Sequence, residues 1–260
     1  MSKFWLFSVG ILLSGIACAE DTAQPQTEAT ESKDIKVPSP WEGQVELGYQ
    51  AHSGNTNTEA LNTLLQASYT EGRHRTTGQW KLYKLVRETY KDKRKSDYSL
   101  QSDYKLGPKH YLYSSFKGTD SNYTAYFKDY TFSAGLGYQL MHTEKVTWEF
   151  ELGPGYRYQE PNVDEIDSND VVFDETIQEP IIRFNVRNEW VIRKNLNFYA
   201  DVTVVTGDSN TTYTSDVGLT NNITDNIALK LSHNLQYYDK VPDGLVKHDG
   251  IFTVSVLVSF

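Results

Sequence analysis

The sequence predicts an all-β chain folded as a transmembrane antiparallel β-barrel of about twelve strands. Three features lead there: an apolar last strand that ends on Phe260, period-two alternation in successive segments, and connections that sort by length. In the final IFTVSVLVSF, Phe252, Val254, Val256, Val258 and Phe260 fall on one face of a strand, with Ile251, Thr253, Ser255, Leu257 and Ser259 on the other. A soluble protein seldom leaves so apolar a strand uncapped at its terminus, because a bare edge invites aggregation. A membrane barrel needs such a strand to face lipid and close against the first strand. The terminal Phe260 and its alternate partners also fit the signal read by the barrel-assembly machinery of the outer membrane.

The chain begins with Lys3, an apolar run from Phe4 to Ala17, and the small-residue site Ala17-Cys18-Ala19, which together read as a signal peptide over residues 1–19. Cleavage after Ala19 removes Cys18; the rival reading makes Cys18 a lipid acceptor, but Gly15-Ile16-Ala17 lacks a Leu three residues before it. Residues 20–40 hold three prolines and few large apolar side chains, so they are expected to be a disordered periplasmic lead-in to a barrel over 41–260.

The 260 residues carry 34 Asp+Glu against 25 Lys+Arg, which argues against a nucleic-acid partner. Aromatics make up 13% of the chain, with 18 Tyr, which suits the girdles at the two interfaces of a membrane barrel. Beyond the N-terminus no apolar run approaches the ~20 residues of a spanning helix. A membrane crossing would be made by strands.

From Trp41 onward, short connections interleave with longer or more polar ones. The short ones are Gly72-Arg73-His74, Gly107-Pro108-Lys109, His142 to Lys145, Arg193-Lys194-Asn195 and Thr224-Asp225-Asn226. The long ones are Ser53 to Thr58, Tyr90 to Ser96, Gly118 to Tyr123, Gln159 to Glu175, Gly207 to Asn210 and Asp239 to Val246. Sorting by parity is what tight periplasmic turns and external loops produce, and it places both chain ends of the barrel on the periplasmic side.

Within the segments, Val45, Leu47 and Tyr49 alternate with Gln44, Glu46 and Gly48, and Phe132, Ala134, Leu136, Tyr138 and Leu140 alternate with small or polar residues. Trp148, Phe150 and Leu152 alternate with Glu149, Glu151 and Gly153; Phe184 and Val186 alternate with Arg183, Asn185 and Arg187. Around Trp80 the better lipid face is Trp80, Leu82, Lys84 and Val86, at a cost of ~2 to 4 kcal/mol if Lys84 lies at mid-depth. Near Tyr111 and Phe116 the phase is ambiguous, which predicts a bulge or register shift.

Gly48-Tyr49, then Ser53-Gly54-Asn55-Thr56, then Gly153-Pro154-Gly155-Tyr156-Arg157-Tyr158, in a chain ending on Phe260, resemble the YdiY-like salt-induced outer-membrane proteins, a family of unknown function. The likeness spans about residues 41–260 and implies location and architecture; the family lends no catalytic or binding residues. Read physically, Gly54 and Asn55 suit a tight loop. Pro154 removes a backbone donor and predicts a kink or bulge between Leu152 and Tyr156, where the flanking glycines would relieve crowding.

An enzyme is not expected. The six histidines fall mostly at turns, no pair has metal-ligand spacing, and no nucleophile or cofactor motif occurs, so no catalytic, metal or cofactor residue is assigned. Outer-membrane lipid hydrolases place a Ser and a His on the lipid-facing wall, and the one candidate pair here is His233 with Ser215. Two loops are biased in charge. Lys91, Lys93, Arg94 and Lys95 would suit lipopolysaccharide phosphates; the acidic run through Asp164, Glu165, Asp167 and Asp170 would suit divalent cations, though it lacks the Gly and Glu of a calcium loop.

The inward face would hold Glu42, Glu46, Lys81, Arg87, Asp103, Lys105, Glu149, Glu151, Arg157, Arg183, Arg187, Glu189, Asp201, Asp216 and Lys230. Of these, Glu149, Glu151, Arg157, Arg183, Arg187 and Glu189 are the pore-lining candidates. Arg183 and Arg187 stack in a column about 13 Å long, with no assigned partner unless Glu149 and Glu151 on the preceding strand supply it. The expected function is a narrow passive pore for small ions or solutes, with a plugged structural or stress-responsive envelope barrel as the alternative and a lipid-active enzyme behind both. The expected partners are outer-membrane lipid, lipopolysaccharide and the assembly machinery, and no oligomeric state is legible.

Overall fold

A computed structural model of the chain describes residues 39–52, 58–87, 92–124, 126–161, 176–241 and 247–260. The expected signal peptide and nearly all of the lead-in, the Ser53–Asn57 loop and the acidic loop over 162–175 lie outside the described residues. The described chain is a run of twelve strands: β1 (Trp41–His52), β2 (Thr58–Glu71), β3 (His74–Arg87), β4 (Lys93–Lys105), β5 (His110–Ser121) and β6 (Tyr126–His142), then β7 (Val146–Pro161), β8 (Ile177–Arg193), β9 (Leu196–Thr206), β10 (Thr211–Asn222), β11 (Ile227–Tyr238) and β12 (His248–Ser259). Each strand pairs antiparallel with its neighbours in sequence, and β12 returns to β1, closing the barrel. The turns after β2, β4, β6, β8 and β10 are the tight ones anticipated from sequence; Gly72, at φ +57°, supplies the left-handed residue of the first.

Alternation assigns the two faces without ambiguity. Leu47, Leu100, Leu112, Phe132, Leu136, Leu152, Phe184, Leu229 and Val254 are exposed on the outside, while Glu46, Asp103, Glu149, Glu151, Arg183 and Asn185 are buried within. An apolar belt that runs right round a closed barrel, over a polar interior, inverts the arrangement of a soluble barrel and is what hydrocarbon demands. Trp41, Tyr104, Trp148 and Trp190 mark the belt at the short-turn end; Tyr49, Tyr98, Tyr213 and Phe252 mark it toward the other. The fold is therefore a transmembrane β-barrel.

Around Trp80 the chosen register holds: Trp80 and Val86 face out, and Lys81 faces the lumen. Lys84 is exposed on the outside but only three positions from the end of β3, where a long side chain can carry its ammonium to the interface, so the mid-depth cost does not apply. The Trp80 indole donates to Ser96 Oγ at 2.8 Å, which satisfies its N–H on the lipid side.

Two expectations are corrected. The register through β5 is regular on both sides, with no bulge near Tyr111 or Phe116. The phase looked ambiguous because Tyr111 and Tyr113 are aromatic yet inward and buried, while Leu112 and Phe116 are outward. Nor does Pro154 shift the register. The β6–β7 pairing runs from Ser133↔Gly155 to Leu136↔Leu152 in one register, and β7–β8 continues unbroken through Pro154↔Ile182. The missing donor falls on the β6 side, where Ala134 and Gly135 have no ladder partner in β7, and the register shifts lie instead near the two ends of β6. The glycines admit close backbones: a Cβ on Gly135 would meet the Leu152 carbonyl, and one on Gly153 would meet the Ala134 carbonyl and come within 2.7 Å of the Tyr113 hydroxyl. Gly153→Val is accordingly expected to destabilise the barrel by about 1–3 kcal/mol through overpacking. Urea unfolding in lipid vesicles, followed by tryptophan emission, measures it.

The charged lumen as candidate functional site

The inward side chains form three tiers. Near the short-turn end, β3, β4, β6, β7 and β8 contribute Arg75, Asp103, Gln139, Glu149 and Arg187. Arg75 Nη2 lies 2.7 Å from Asp103 and 3.3 Å from Glu149; Arg187 Nη1 lies 3.5 Å from Glu149, and its Nε donates to Asp201 at 3.2 Å. Gln139 Nε2 donates to the other Glu149 oxygen at 2.6 Å.

At mid-depth Glu151, 1% exposed, accepts from Arg183 Nη1 at 2.7 Å, Gln101 Nε2 at 2.7 Å and the Tyr111 hydroxyl at 3.0 Å. Arg183 stands opposite Gly153 in the ladder, and the space that glycine leaves lets the Tyr113 ring lie 5.1 Å from the guanidinium. Two further links join walls that are not adjacent. Lys81 of β3 reaches Asp216 of β10 at 2.5 Å, and Lys117 of β5 donates to Thr203 of β9 at 3.1 Å. Lys230 closes on Glu46 at 2.8 Å, and Ser255 donates to the same carboxylate at 2.6 Å.

At the loop end, the Gly207–Asn210 connection folds into the mouth. Arg157 pairs with Glu179 and donates to the Asn210 carbonyl at 2.9 Å; Glu179 accepts from the Ser209 amide at 2.9 Å. Asn210 Nδ2 donates to Tyr126 Oη at 2.9 Å and Gln159 Oε1 at 3.0 Å. Arg157, Gln159, Asn210 and Tyr126 are all at most 1% exposed, so this tier is packed solid.

Of the pore-lining candidates, Glu149, Glu151, Arg157, Arg183 and Arg187 are brought together inside, whereas Glu189 is exposed two residues beyond Arg187, at the short-turn rim. Glu42 and Lys105 are likewise exposed at that rim. The arginine column is partnered: Glu151 holds Arg183, and Glu149 with Asp201 holds Arg187. Sequence reading missed Arg75, Lys117 and Glu179. Arg75 shares the phase of Lys81 and Glu179 that of Arg183, so parity alone could have found both. His233 is exposed on the outside, opposite Val217 and Phe252, and Ser215 stands opposite Leu235. Among the described residues no group of three or more His, Cys, Asp or Glu could hold a metal ion.

Fold and lumen thus define a membrane-spanning barrel of twelve strands with an ion-paired interior. The chain belongs to the family of proteins of unknown function DUF481, whose model matches residues 45–260. It is 26% identical over 246 residues to the uncharacterized protein YdiY of Escherichia coli K12, covering 93% of this chain and 92% of that one. Among solved structures it is similar to an outer membrane channel from Pseudomonas putida F1, at 12% identity and TM-score 0.48, over 90% of this chain and 100% of the other. The NanC porin gives 12% identity and TM-score 0.46 over 84% and 97% of the two chains. The translocator domain of the autotransporter NalP from Neisseria meningitidis gives 9% and 0.46 over 85% and 87%.

Proposed function

We propose that this protein is an outer-membrane channel of low conductance, exported by its N-terminal signal, in which a lumen braced shut by cross-lumen ion pairs passes small ions or solutes along a narrow path. The observation that carries this reading is the lining itself. Buried ion pairs contribute little net stability compared with apolar packing, so an interior whose only task was to be full would gain from hydrocarbon. Here charges of both signs line the barrel from Arg75 to Arg157, and beside the Lys81–Asp216 and Lys230–Glu46 pairs a cavity of about 70 Å³ remains, room for a few waters. The second reading, a plugged structural barrel, draws on the packed tier of Arg157, Gln159 and Asn210 at the loop end.

Planar-bilayer recording separates the two. The wild type is expected to show small, brief openings, and Lys81→Ala with Asp216→Ala, which removes a brace without leaving a lone charge, several-fold larger and longer ones. Silence of both proteins at all voltages would reject the channel and leave the structural barrel.

A further inference from the structure

The basic run at the start of β4 divides by parity. Lys95 turns inward and donates to Gln236 at 2.9 Å, and Lys93 lies over the Tyr123 ring, 4.9 Å from its centre. Lys91 lies outside the described residues. Arg94 is turned outward and exposed, and the residue directly opposite it in the ladder is Lys84 of β3, also outward and exposed.

Two cations thus face each other across one rung on the lipid side of the wall. Residues so placed have Cβ atoms about 4.5–5.5 Å apart, and like charges there destabilise a sheet. Among the described residues neither side chain forms an ion pair. Asp120, outward on β5 and two residues deeper, accepts instead from the hydroxyls of Tyr98 at 3.3 Å and Tyr130 at 2.6 Å. Lys128, the outward cation of β6, does have a carboxylate, Glu160 at 2.9 Å. The contrast singles out the Lys84–Arg94 rung as positive charge that the described wall leaves uncompensated.

Depth decides which anion can meet it. At the short-turn end the same ladder closes with His74↔Tyr104, and Tyr104 belongs to the aromatic ring there. Lys84↔Arg94 lies ten residues further along each strand, about 33 Å of chain, which at a tilt of about 40° gives about 25 Å of height. The apolar band of such barrels is about 25 Å tall, so the two charges stand at its far edge. Leu61 is opposite Lys84 on its other side, and Leu65, Trp80 and Leu100 follow toward the short-turn end, all exposed. An anion at the top of acyl chains fits that surface. On the loop side of an outer-membrane barrel the lipid of that form is lipopolysaccharide, whose lipid A carries phosphates directly above its chains.

We propose that the Lys84–Arg94 rung is a binding site for one lipopolysaccharide molecule, with a lipid A phosphate held between the ammonium and the guanidinium and the acyl chains along Leu61, Leu65, Trp80 and Leu100. The guanidinium presents paired N–H donors that match phosphate oxygens, and the ammonium adds a point charge from the facing strand. A phosphate between them replaces one repulsion with two attractions. The site rests on the loop end meeting the outer leaflet and is independent of whether the lumen conducts.

The barrel, refolded in detergent, is titrated with lipid A bearing two phosphates, and bound lipid is counted by native mass spectrometry. The wild type is expected to bind one molecule, and Lys84→Gln with Arg94→Gln to bind it about tenfold or more weakly. Lys128→Gln, which leaves the rung intact, should bind as the wild type does. Dephosphorylated lipid A and phosphatidylglycerol should each bind the wild type as weakly as the double variant binds lipid A. The proposal is overturned if the double variant keeps wild-type affinity, or if either of those two lipids binds the wild type as tightly as lipid A does. Urea unfolding in phosphatidylcholine vesicles separates a ligand site from a structural role. Without lipid A the double variant should be at least as stable as the wild type, because it has lost only a repulsion. With lipid A the wild type should gain stability, as binding to the folded state requires, and the double variant should not. Equal gains in the two proteins would also overturn the site.

Discussion

Glu151→Ala is expected to destabilise the barrel by roughly 3–5 kcal/mol, the range for removing one partner of a buried ion pair. Glu151 is 1% exposed, and three donors converge on it: Arg183, Gln101 and Tyr111. Arg183 is equally buried, and its Nε and Nη2 have no hydrogen-bond partner, so the carboxylate is what offsets its desolvation. Without it a guanidinium is left among Tyr113, Gly153 and Asn185 with only the ring face for compensation. The control is Glu151→Met with Arg183→Met, which removes both charges and is expected to recover most of the loss. Urea unfolding in vesicles reads both variants. A single variant within about 1 kcal/mol of wild type would mean that water reaches Arg183, since exposed pairs contribute no more than that.

The same pair shows how far the sequence could be read. That Glu149, Glu151, Arg183 and Arg187 share the inner face follows from period-two alternation, and the parity of the connections gave the strand number and the barrel topology. Partner choice followed only where the strands are adjacent, as for Glu151 and Arg183 on β7 and β8. Lys81 with Asp216 and Arg75 with Glu149 join strands far apart in the chain, and their meeting depends on which walls face each other once the barrel closes, which no local pattern encodes. Tyr111 and Tyr113 misled in another way: hydropathy scores a ring alike in lipid and in a polar lumen, and only the hydroxyl, bonded to Glu151 in the case of Tyr111, tells the two apart. Pro154 was expected to kink or bulge its strand because a lone proline removes a ladder bond; the register instead runs through unshifted, with Ala134 and Gly135 unpaired opposite it and the glycines at 135, 153 and 155 letting the backbones of β6 and β7 lie close. The Gly207–Asn210 connection read only as one of the longer or more polar external loops. Its anchoring to the barrel wall comes from Arg157 and Glu179 on two other strands.

Deleting Phe260 is expected to abolish most barrel assembly, for two reasons that can be measured apart. The structural reason is closure. Phe260 supplies both backbone bonds to Gly43 at the end of a seam whose ladder runs only from Gln44 to Leu47, and its ring lies over Gly43 where any Cβ would overlap it. Losing two such bonds at a membrane seam costs several kcal/mol per unsatisfied group. The other reason is recognition, since Phe252, Val254, Val256, Val258 and Phe260 form one exposed row, 42–76% accessible, that the assembly machinery could read. Refolding purified chain into vesicles involves no machinery and isolates closure; the fraction of heat-modifiable protein in cells reports both. Phe260→Ala keeps the backbone bonds and removes the ring, so it should refold nearly as well as wild type in vesicles yet assemble poorly in cells if the row is a signal. Equal assembly of Phe260→Ala and wild type in cells would remove the signal role and leave closure. A deleted chain that accumulates folded and soluble in the periplasm would sink the membrane location itself, because an apolar belt that runs from Leu47 round to Val256 cannot remain exposed to water in a stable monomer.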